Sequence, residues 1–350
     1  MNKNLTIIGG CGSSGTTLLR HLIGRNKEVY TGPELNCFNH YELYRYRLLL
    51  EKIDQMLIGQ GRQRGYASFG AFMDSSEAYG ISKSDIKKWV FQNGDTKSFI
   101  NHIVNHIGKK YGVEHFVEKT PTNVYCFDIL SKSYPHYYLI HVIRDGRDVV
   151  ASLKKRGVSL FSAGSRWLFD TLAGLMARGQ KNYIEIRYEK LVKDPYGTMS
   201  YLLDRLEIPF DPNNIFKSYQ NEYKQSEAKL TKFKQHKSWN NSPVGPISET
   251  SIGRYRNELN PVDLKILFRI RLSKRAKSRL NANVDSFKKL LMYLEYDISE
   301  SEKENANEHF WGHRQMLNVT GMQLKDYYRR LKSNYKKNII KPPDIYTYIR

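Results

Sequence analysis

Residues 5–22 read LTIIGGCGSSGTTLLRHL, and the order of residue types in that stretch decides the fold. Leu5–Ile8 is a short apolar run of the kind a buried strand needs. Gly9, Gly10, Gly12 and Gly15 follow, so the backbone there can approach an anion closely. Leu18, Leu19 and Leu22 recur at helical spacing, which predicts a helix from about Gly15. Strand, glycine turn and helix start together aim backbone N–H groups and the positive end of a helix dipole at a phosphate. The nucleoside-triphosphate form of such a loop is G-x-x-x-x-G-K-[ST]. Gly10 and Gly15 have that separation, but Thr16 and Thr17 follow, and the lysine is missing. The pattern points to a phosphate-bearing group handled without the usual lysine and Mg²⁺.

Outward from this unit, strands and helices alternate. Residues 27–34 (KEVYTGPE) predict a second strand over Glu28–Tyr30 with a turn at Gly32-Pro33. HFVE at 115–118 predicts a third strand, running into Lys119-Thr120-Pro121. YYLIHVI at 137–143 predicts a fourth, followed by a helix from Val149. YIEIRY at 183–188 alternates like a fifth, and Asp194-Pro195 opens another helix. This pattern gives an α/β fold with an open, mostly parallel sheet flanked by helices. Residues 38–110 are too long for a simple crossover and read as a helical insert, a cap for an acceptor. Residues 211–260 are polar and loop-like. Asn260-Pro261 is a helix start, and helices are expected up to about Tyr296. The main domain is therefore 1–298. Residues 299–350 are a linker and a basic helical C-terminal extension.

The chain has 350 residues, a net charge of +21 and 40% hydrophobic residues. That composition builds a core and excludes a disordered chain. The positive charge favours anionic ligands, nucleic acid or membrane without choosing among them. Cys11, Cys37 and Cys126 make neither a metal spacing nor a disulfide framework, which fits reduced thiols in the cytoplasm. No secretion signal and no bilayer-length apolar run occurs. His102 and His106 are four apart, but no third ligand stands at a suitable spacing, so no metal is expected.

Several residues can carry chemistry. The loop N–H groups, with the Thr16 and Thr17 hydroxyls, suit a phosphate. Arg144 ends a strand in VIRDGRDVVAS (142–152), where ligands sit in parallel sheets. It suits bidentate anion binding, with Ser152 two turns into the following helix; the plain alternative is pairing of Arg144 and Arg147 with Asp145 and Asp148 at the surface. Glu34 follows the second strand and can act as a base toward a hydroxyl. Lys119 ends the third and can stabilise charge on a leaving oxygen; the alternatives are a turn glutamate and a surface Lys119–Glu118 pair.

GCGSSGTTLL near the N-terminus and VIRDGRDVVASL in the middle together resemble the sulfotransferase family that uses 3′-phosphoadenosine 5′-phosphosulfate (PAPS). The resemblance covers roughly residues 1–298 and implies the P-loop-NTPase-like fold of that family. It implies that Gly12, Ser13, Ser14, Gly15, Thr16 and Thr17 hold the 5′-phosphosulfate end, and that Arg144 and Ser152 hold the 3′-phosphate. Many members carry arginine where this chain has Ser13. Glu34 resembles the glutamate base of tyrosylprotein and heparan-type sulfotransferases. Glu118-Lys119-Thr120-Pro121 resembles a segment of the heparan-type and many bacterial members. Ser251-Ile252-Gly253-Arg254-Tyr255 resembles the segment that closes over the 3′-phosphate and adenosine, with Arg254 as the contact. Ser238 and Tyr188 are weaker assignments to the same pocket, Tyr188 being equally suited to packing. The implied reaction moves a sulfuryl group from PAPS to a hydroxyl of a glycan, a lipid-linked sugar or a tyrosine, with no metal.

Two rival classes remain open at this level. One is a small-molecule kinase using a nucleoside triphosphate, against which the missing lysine argues. The other is a non-catalytic basic module for nucleic acid or membrane, kept alive by segments such as YELYRYR at 41–47; no specific nucleic acid is expected. Residues 324–341 form a basic amphipathic pattern, suited to docking on the main domain or to peripheral membrane contact.

Overall fold

The computed structural model describes residues 4–39, 41–47, 49–51, 53, 72, 75–217, 247–272, 274–280 and 283–299. Five strands, β1 (Asn4–Gly10), β2 (Val29–Thr31), β3 (His115–Lys119), β4 (Tyr138–Ile143) and β5 (Tyr183–Arg187), form one sheet in the order β2-β3-β1-β4-β5. Every neighbouring pair is parallel, with Ile8 opposite Lys119, Gly10 opposite Val142 and Ile143 opposite Arg187. The carboxyl ends of all five strands therefore lie along one edge. Residues 5–10 of β1 and all of β3 are buried, as are residues 139–143 of β4; β1 and β4 read as largely apolar runs for that reason, whereas β3 also buries His115, Glu118 and Lys119. β5 is an edge strand in which only Ile184 and Ile186 are buried, and its sequence alternates accordingly.

The helices are α1 (Thr16–Ile23), α2 (Lys83–Asn93), α3 (Thr96–Tyr111), α4 (Phe127–Ser133), α5 (Gly146–Lys155), α6 (Leu160–Leu175), α7 (Tyr188–Lys193), α8 (Pro195–Arg205), α9 (Pro261–Phe268) and α10 (Phe287–Tyr293). Their starts are specified locally. Ser82 with Asp85, and Asn260 with Asp263, form capping boxes, and Asp95 accepts from the Ser98 amide. The second strand is Val29–Thr31, one residue later than expected, and two further boundaries differ from the sequence reading. α5 starts at Gly146 and not at Val149, because the Asp145 side chain accepts from the Arg147 amide and caps the helix early. Tyr188 opens α7 and does not end the strand. The described part of 38–110 contains α2 and all of α3 but its last residue.

The chain divides into two compact units, Met1–Arg144 with Asp170–Ile252 and Asp145–Phe169 with Gly253–Arg350. The first holds the whole sheet. On it Leu19, Leu22 and Ile23 of α1 and Met199, Leu202 and Leu203 of α8 pack in one cluster with Ile8, Val142 and Ile186. The second has its own aromatic centre, where Trp167 and Phe287 lie 4.5 Å apart. No described helix is long and apolar enough to cross a membrane.

His141 of β4 is fully buried, its Nδ1 2.8 Å from the Tyr183 hydroxyl. Gly174 of α6 lies flat on the imidazole, since a Cβ there would come within 2.4 Å of the ring. Burial pulls the His141 pKa down to about 3 from its ordinary value of 6.5, and Arg178 and Arg187 add to that. An unfolded chain takes up this proton below 6.5 and the folded chain does not, so stability is lost as the pH falls through that window. One such group gives a slope of at most about 1.4 kcal/mol per pH unit. Urea unfolding between pH 7 and 4 is expected to show this slope reduced in His141→Phe; an unchanged slope contradicts the assignment.

Candidate active site

The loop after β1 is built for an anion. Gly10 has φ +156° with the Val142 carbonyl 2.5 Å from where a Cβ would stand. Gly15 has φ +95°, and a Cβ there would come within 2.4 Å of the Tyr188 ring. Ser13 is also left-handed, at φ 75°, a conformation that costs a non-glycine residue about 1 kcal/mol. α1 begins at Thr16 with Gly15 as its cap, so no side chain caps its first turn. The Ser13 hydroxyl oxygen is buried and has no protein partner. The loop thus presents an uncapped helix start, a left-handed turn and a buried hydroxyl together, a donor set that fits a phosphate or sulfate group.

Beside it, β3 delivers Lys119. Its ammonium is only 2% exposed and donates to Glu34 Oε1 at 2.5 Å, while Glu34 retains 24% exposure. The expected alternatives at both residues therefore fail. Lys119 does not pair with Glu118, and Glu34 is not a solvent-facing turn residue. Burial pulls the Lys119 ammonium below the ordinary lysine range and Glu34 pushes back up. Glu118 is fully buried and accepts from the Leu35 amide (2.9 Å), the Thr120 hydroxyl (2.6 Å) and Asn123 Nδ2 (2.5 Å). Burial raises its pKa and these three donors oppose the rise.

Arg144 stands on the other side of the loop, 4% exposed. Its guanidinium donates to the Ser13 carbonyl at 3.0 Å and to the Ser251 carbonyl at 2.5 Å, and lies 4.4 Å over the Tyr188 ring. Arg144, the residue after β4, thus ties the glycine loop to the turn at Ser251. Tyr188 packs between Gly15 and Arg144. Within the first unit, then, the loop, Glu34, Lys119, Arg144 and Tyr188 all arise at the same sheet edge, in the order Glu34, Lys119, loop, Arg144, Tyr188.

In the second unit Arg147 pairs with Asp145 at 2.8 Å, as the alternative reading has it, but buried and stacked 4.2 Å over Tyr255. Asp148 accepts from the Gly253 and Tyr255 amides at 2.8 and 3.0 Å and so fixes the turn that carries Arg254. Arg254 pairs with Glu258 at 2.7 Å. Ser152 is 7% exposed on α5. Ser238 and residues 324–341 lie outside the described residues. His102 and His106 both pack on Trp89, at 4.4 and 5.2 Å, and no group of three or more His, Cys, Asp or Glu is placed to hold a metal among the described residues.

Three contributors carry no sequence signal that singles them out. Arg20 is 6% exposed and looks like a helix-surface arginine in the sequence. Tyr79 lies in a turn far from the loop. Asn123 links Glu118 to the Ile8 carbonyl of β1 at 3.1 Å. Glu118 itself sits in a recognisable segment, but its role is visible only in three dimensions.

A glycine loop at a helix start, flanked on one sheet edge by a lysine–carboxylate pair and an arginine, gives this α/β protein a donor set that fits a phosphate or sulfate group. The profile of the sulfotransferase family matches residues 6–212, and the chain belongs to that family. It is 26% identical over 222 residues to protein-tyrosine sulfotransferase 1 of Danio rerio, covering 60% of this chain and 55% of that one. The chain thus aligns with little more than half the length of that relative. Among solved structures it is similar to the sulfotransferase domain of the Synechococcus PCC 7002 olefin synthase, with 20% identity, a TM-score of 0.41, and coverage of 61% and 76% of the two chains. It is also similar to the sulfotransferase domain from the curacin biosynthetic pathway, with 18% identity, a TM-score of 0.41, and coverage of 61% and 77%.

The loop geometry has a direct test. Gly157 is also left-handed, at φ +82°, with nothing within 4 Å of its would-be Cβ. Gly157→Ala is expected to cost about 1 kcal/mol, the conformational term alone. Gly15→Ala adds the collision with Tyr188 and is expected to cost clearly more, on the order of 2–4 kcal/mol. Equal losses in urea unfolding contradict the packing described for Gly15.

Proposed function

We propose that the protein transfers a sulfuryl group from PAPS to an acceptor hydroxyl, with Glu34 as the base. The observation that carries this reading is the Glu34–Lys119 pair beside an uncapped glycine loop on one sheet edge. PAPS supplies an electrophilic sulfur and a good leaving phosphate. Gly12, Ser13, Ser14, Gly15, Thr16 and Thr17 hold its 5′-phosphosulfate end through backbone amides and hydroxyls. Glu34 is paired with Lys119 and partly exposed, so it can accept the proton of an incoming hydroxyl. Lys119 turns its charge to the bridging oxygen as negative charge grows there. Arg144 serves the other end of the nucleotide, with Tyr188 supporting its guanidinium. Ser152, Ser238 and Arg254 are assigned to the 3′-phosphate on the sequence resemblance. No protein group in this scheme requires a metal.

The acceptor is assigned as a hydroxyl of a glycan or lipid-linked sugar, with tyrosine as the second class, favoured by the Danio rerio relative's name. A cytoplasmic setting belongs to the same proposal and is supported by the three cysteines, which are buried and form no disulfide. Transfer of ³⁵S from labelled PAPS to cell extracts, resolved by mass spectrometry, identifies the acceptor class; labelling of protein but no glycan or lipid decides for tyrosine.

Glu34→Gln is expected to keep affinity for 3′-phosphoadenosine 5′-phosphate (PAP) within about two-fold and to lower turnover by at least about 100-fold, a general-base effect. Near-normal turnover contradicts the base assignment. Arg144→Ala is expected to weaken PAP binding by about ten-fold or more, as loss of a charged hydrogen-bonding partner does. Calorimetry is expected to show PAP bound in preference to ATP–Mg²⁺; the reverse preference supports the kinase reading and overturns this one.

A further inference from the structure

The turn that carries Glu34 is gripped on both sides by side chains from other elements. Before Glu34, Arg20 Nη1 of α1 donates to the Gly32 carbonyl at 2.8 Å, and the Tyr79 hydroxyl donates to the Pro33 carbonyl at 2.5 Å. After it, the Leu35 amide donates to Glu118 Oε1 and the Asn36 amide donates to Thr120 Oγ1 at 3.2 Å. Asn36 closes the turn in a left-handed conformation, φ 56°, with its Nδ2 donating to the Glu34 carbonyl at 3.2 Å. Four consecutive backbone links around one carboxylate thus end on four separate side chains. None of these bonds involves the Glu34 carboxylate itself.

Glu118 is the centre of the grip. Its two oxygens meet three donors, and each donor ties it to a different part of the site. Leu35 is next to Glu34. Thr120 is next to Lys119 and in turn holds Asn36. Asn123 bonds to Ile8 of β1, one residue before the glycine loop starts. A buried carboxylate is costly unless its acceptors are filled, so the fully satisfied Glu118 demands this geometry and no other.

We propose that Glu118 is a positioning residue, fixing the Glu34 turn to the strand that carries Lys119 and to the phosphate loop, with Arg20, Tyr79 and Thr120 completing the clamp. It touches neither donor nor acceptor. The catalytic consequence rests on the reading of Glu34 as the base; the structural consequence does not. A displacement of about 1 Å at a reacting group costs on the order of 100-fold in rate, which gives a shell of this kind its effect on turnover.

The test uses the full chain and two readouts. In Glu118→Gln one oxygen acceptor becomes a donor facing a donor. Hydrogen–deuterium exchange at the Leu35 and Asn36 amides is expected to rise at least about ten-fold, with β1 amides unchanged, because a local opening has replaced a closed turn. PAP affinity is expected to stay within about two-fold and kcat to fall at least about ten-fold at unchanged KM for PAPS, measured with ³⁵S-PAPS and p-nitrophenol or a tyrosine peptide as acceptor probes. Thr120→Val is expected to reproduce the effect and Thr120→Ser to rescue it. Tyr79→Phe and the Thr120 pair decide the matter if Glu118→Gln unfolds. Wild-type protection of Leu35 and Asn36 in these variants overturns the clamp, as does a parallel fall of PAP affinity and kcat. Active Glu34→Gln alongside raised Leu35 exchange in Glu118→Gln retains the clamp and removes the base assignment, so the two failures are separable.

Discussion

Lys119 carries an ammonium in a place almost closed to water, and Glu34 is what makes that tolerable. An unpaired buried charge costs several kcal/mol. With Glu34 at 2.5 Å the cost is offset in part, since burial still pulls the lysine pKa down while Glu34 pushes it back up. The pair constrains everything around it. Lys119 is rigid because it ends a buried strand. Glu34 is not on a regular element, so its turn has to be held by other means. Arg20, Tyr79, Glu118 and Thr120 do this from α1, from the turn at 77–79 and from the end of β3. In the proposed reading, the exposure left on Glu34 is the opening through which an acceptor hydroxyl reaches it.

Sheet topology then spreads the chemistry in one dimension. With strands about 4.8 Å apart, the four steps from β2 to β5 span about 19 Å, the scale of an extended nucleotide with an acceptor at one end. The carboxylate and lysine stand at one side, the phosphate loop in the centre and Arg144 with Tyr188 at the other. The missing loop lysine is intelligible in this layout. In the proposed reading the positive charge beside the loop comes from Lys119 on the neighbouring strand, while Arg144 serves the other end of the nucleotide. Ser13 is tied into this layout through its backbone, since the Arg144 guanidinium donates to the Ser13 carbonyl.

Much of this was legible in the chain, for physical reasons. Parallel strands buried on both faces are largely apolar runs, so β1 and β4 announce themselves. The glycine loop is legible because Gly10 and Gly15 occupy conformations and spaces that other residues cannot. Asn260-Pro261 declares a helix by capping chemistry alone. Other features were not. α6 (LFSAGSRWLFDTLAGL) is too apolar to show a clean helical face, and Gly164 and Gly174 look like breakers although each admits a packed neighbour. The early start of α5 depends on one Asp145 cap. The role of Glu118 is a tertiary fact, since nothing local distinguishes a buried hub from a surface partner of Lys119. Arg20 is hidden for the same reason, in a helix whose sequence reads as ordinary.

A double-mutant cycle on urea stability at neutral pH probes the pair most directly, using Glu34→Gln, Lys119→Met and the two combined. The account predicts that the double variant is less destabilised than the sum of the singles, with a coupling above about 1.5 kcal/mol, because either single change strands the other partner. A coupling within about 0.3 kcal/mol of zero, the range of independent sites, would contradict it.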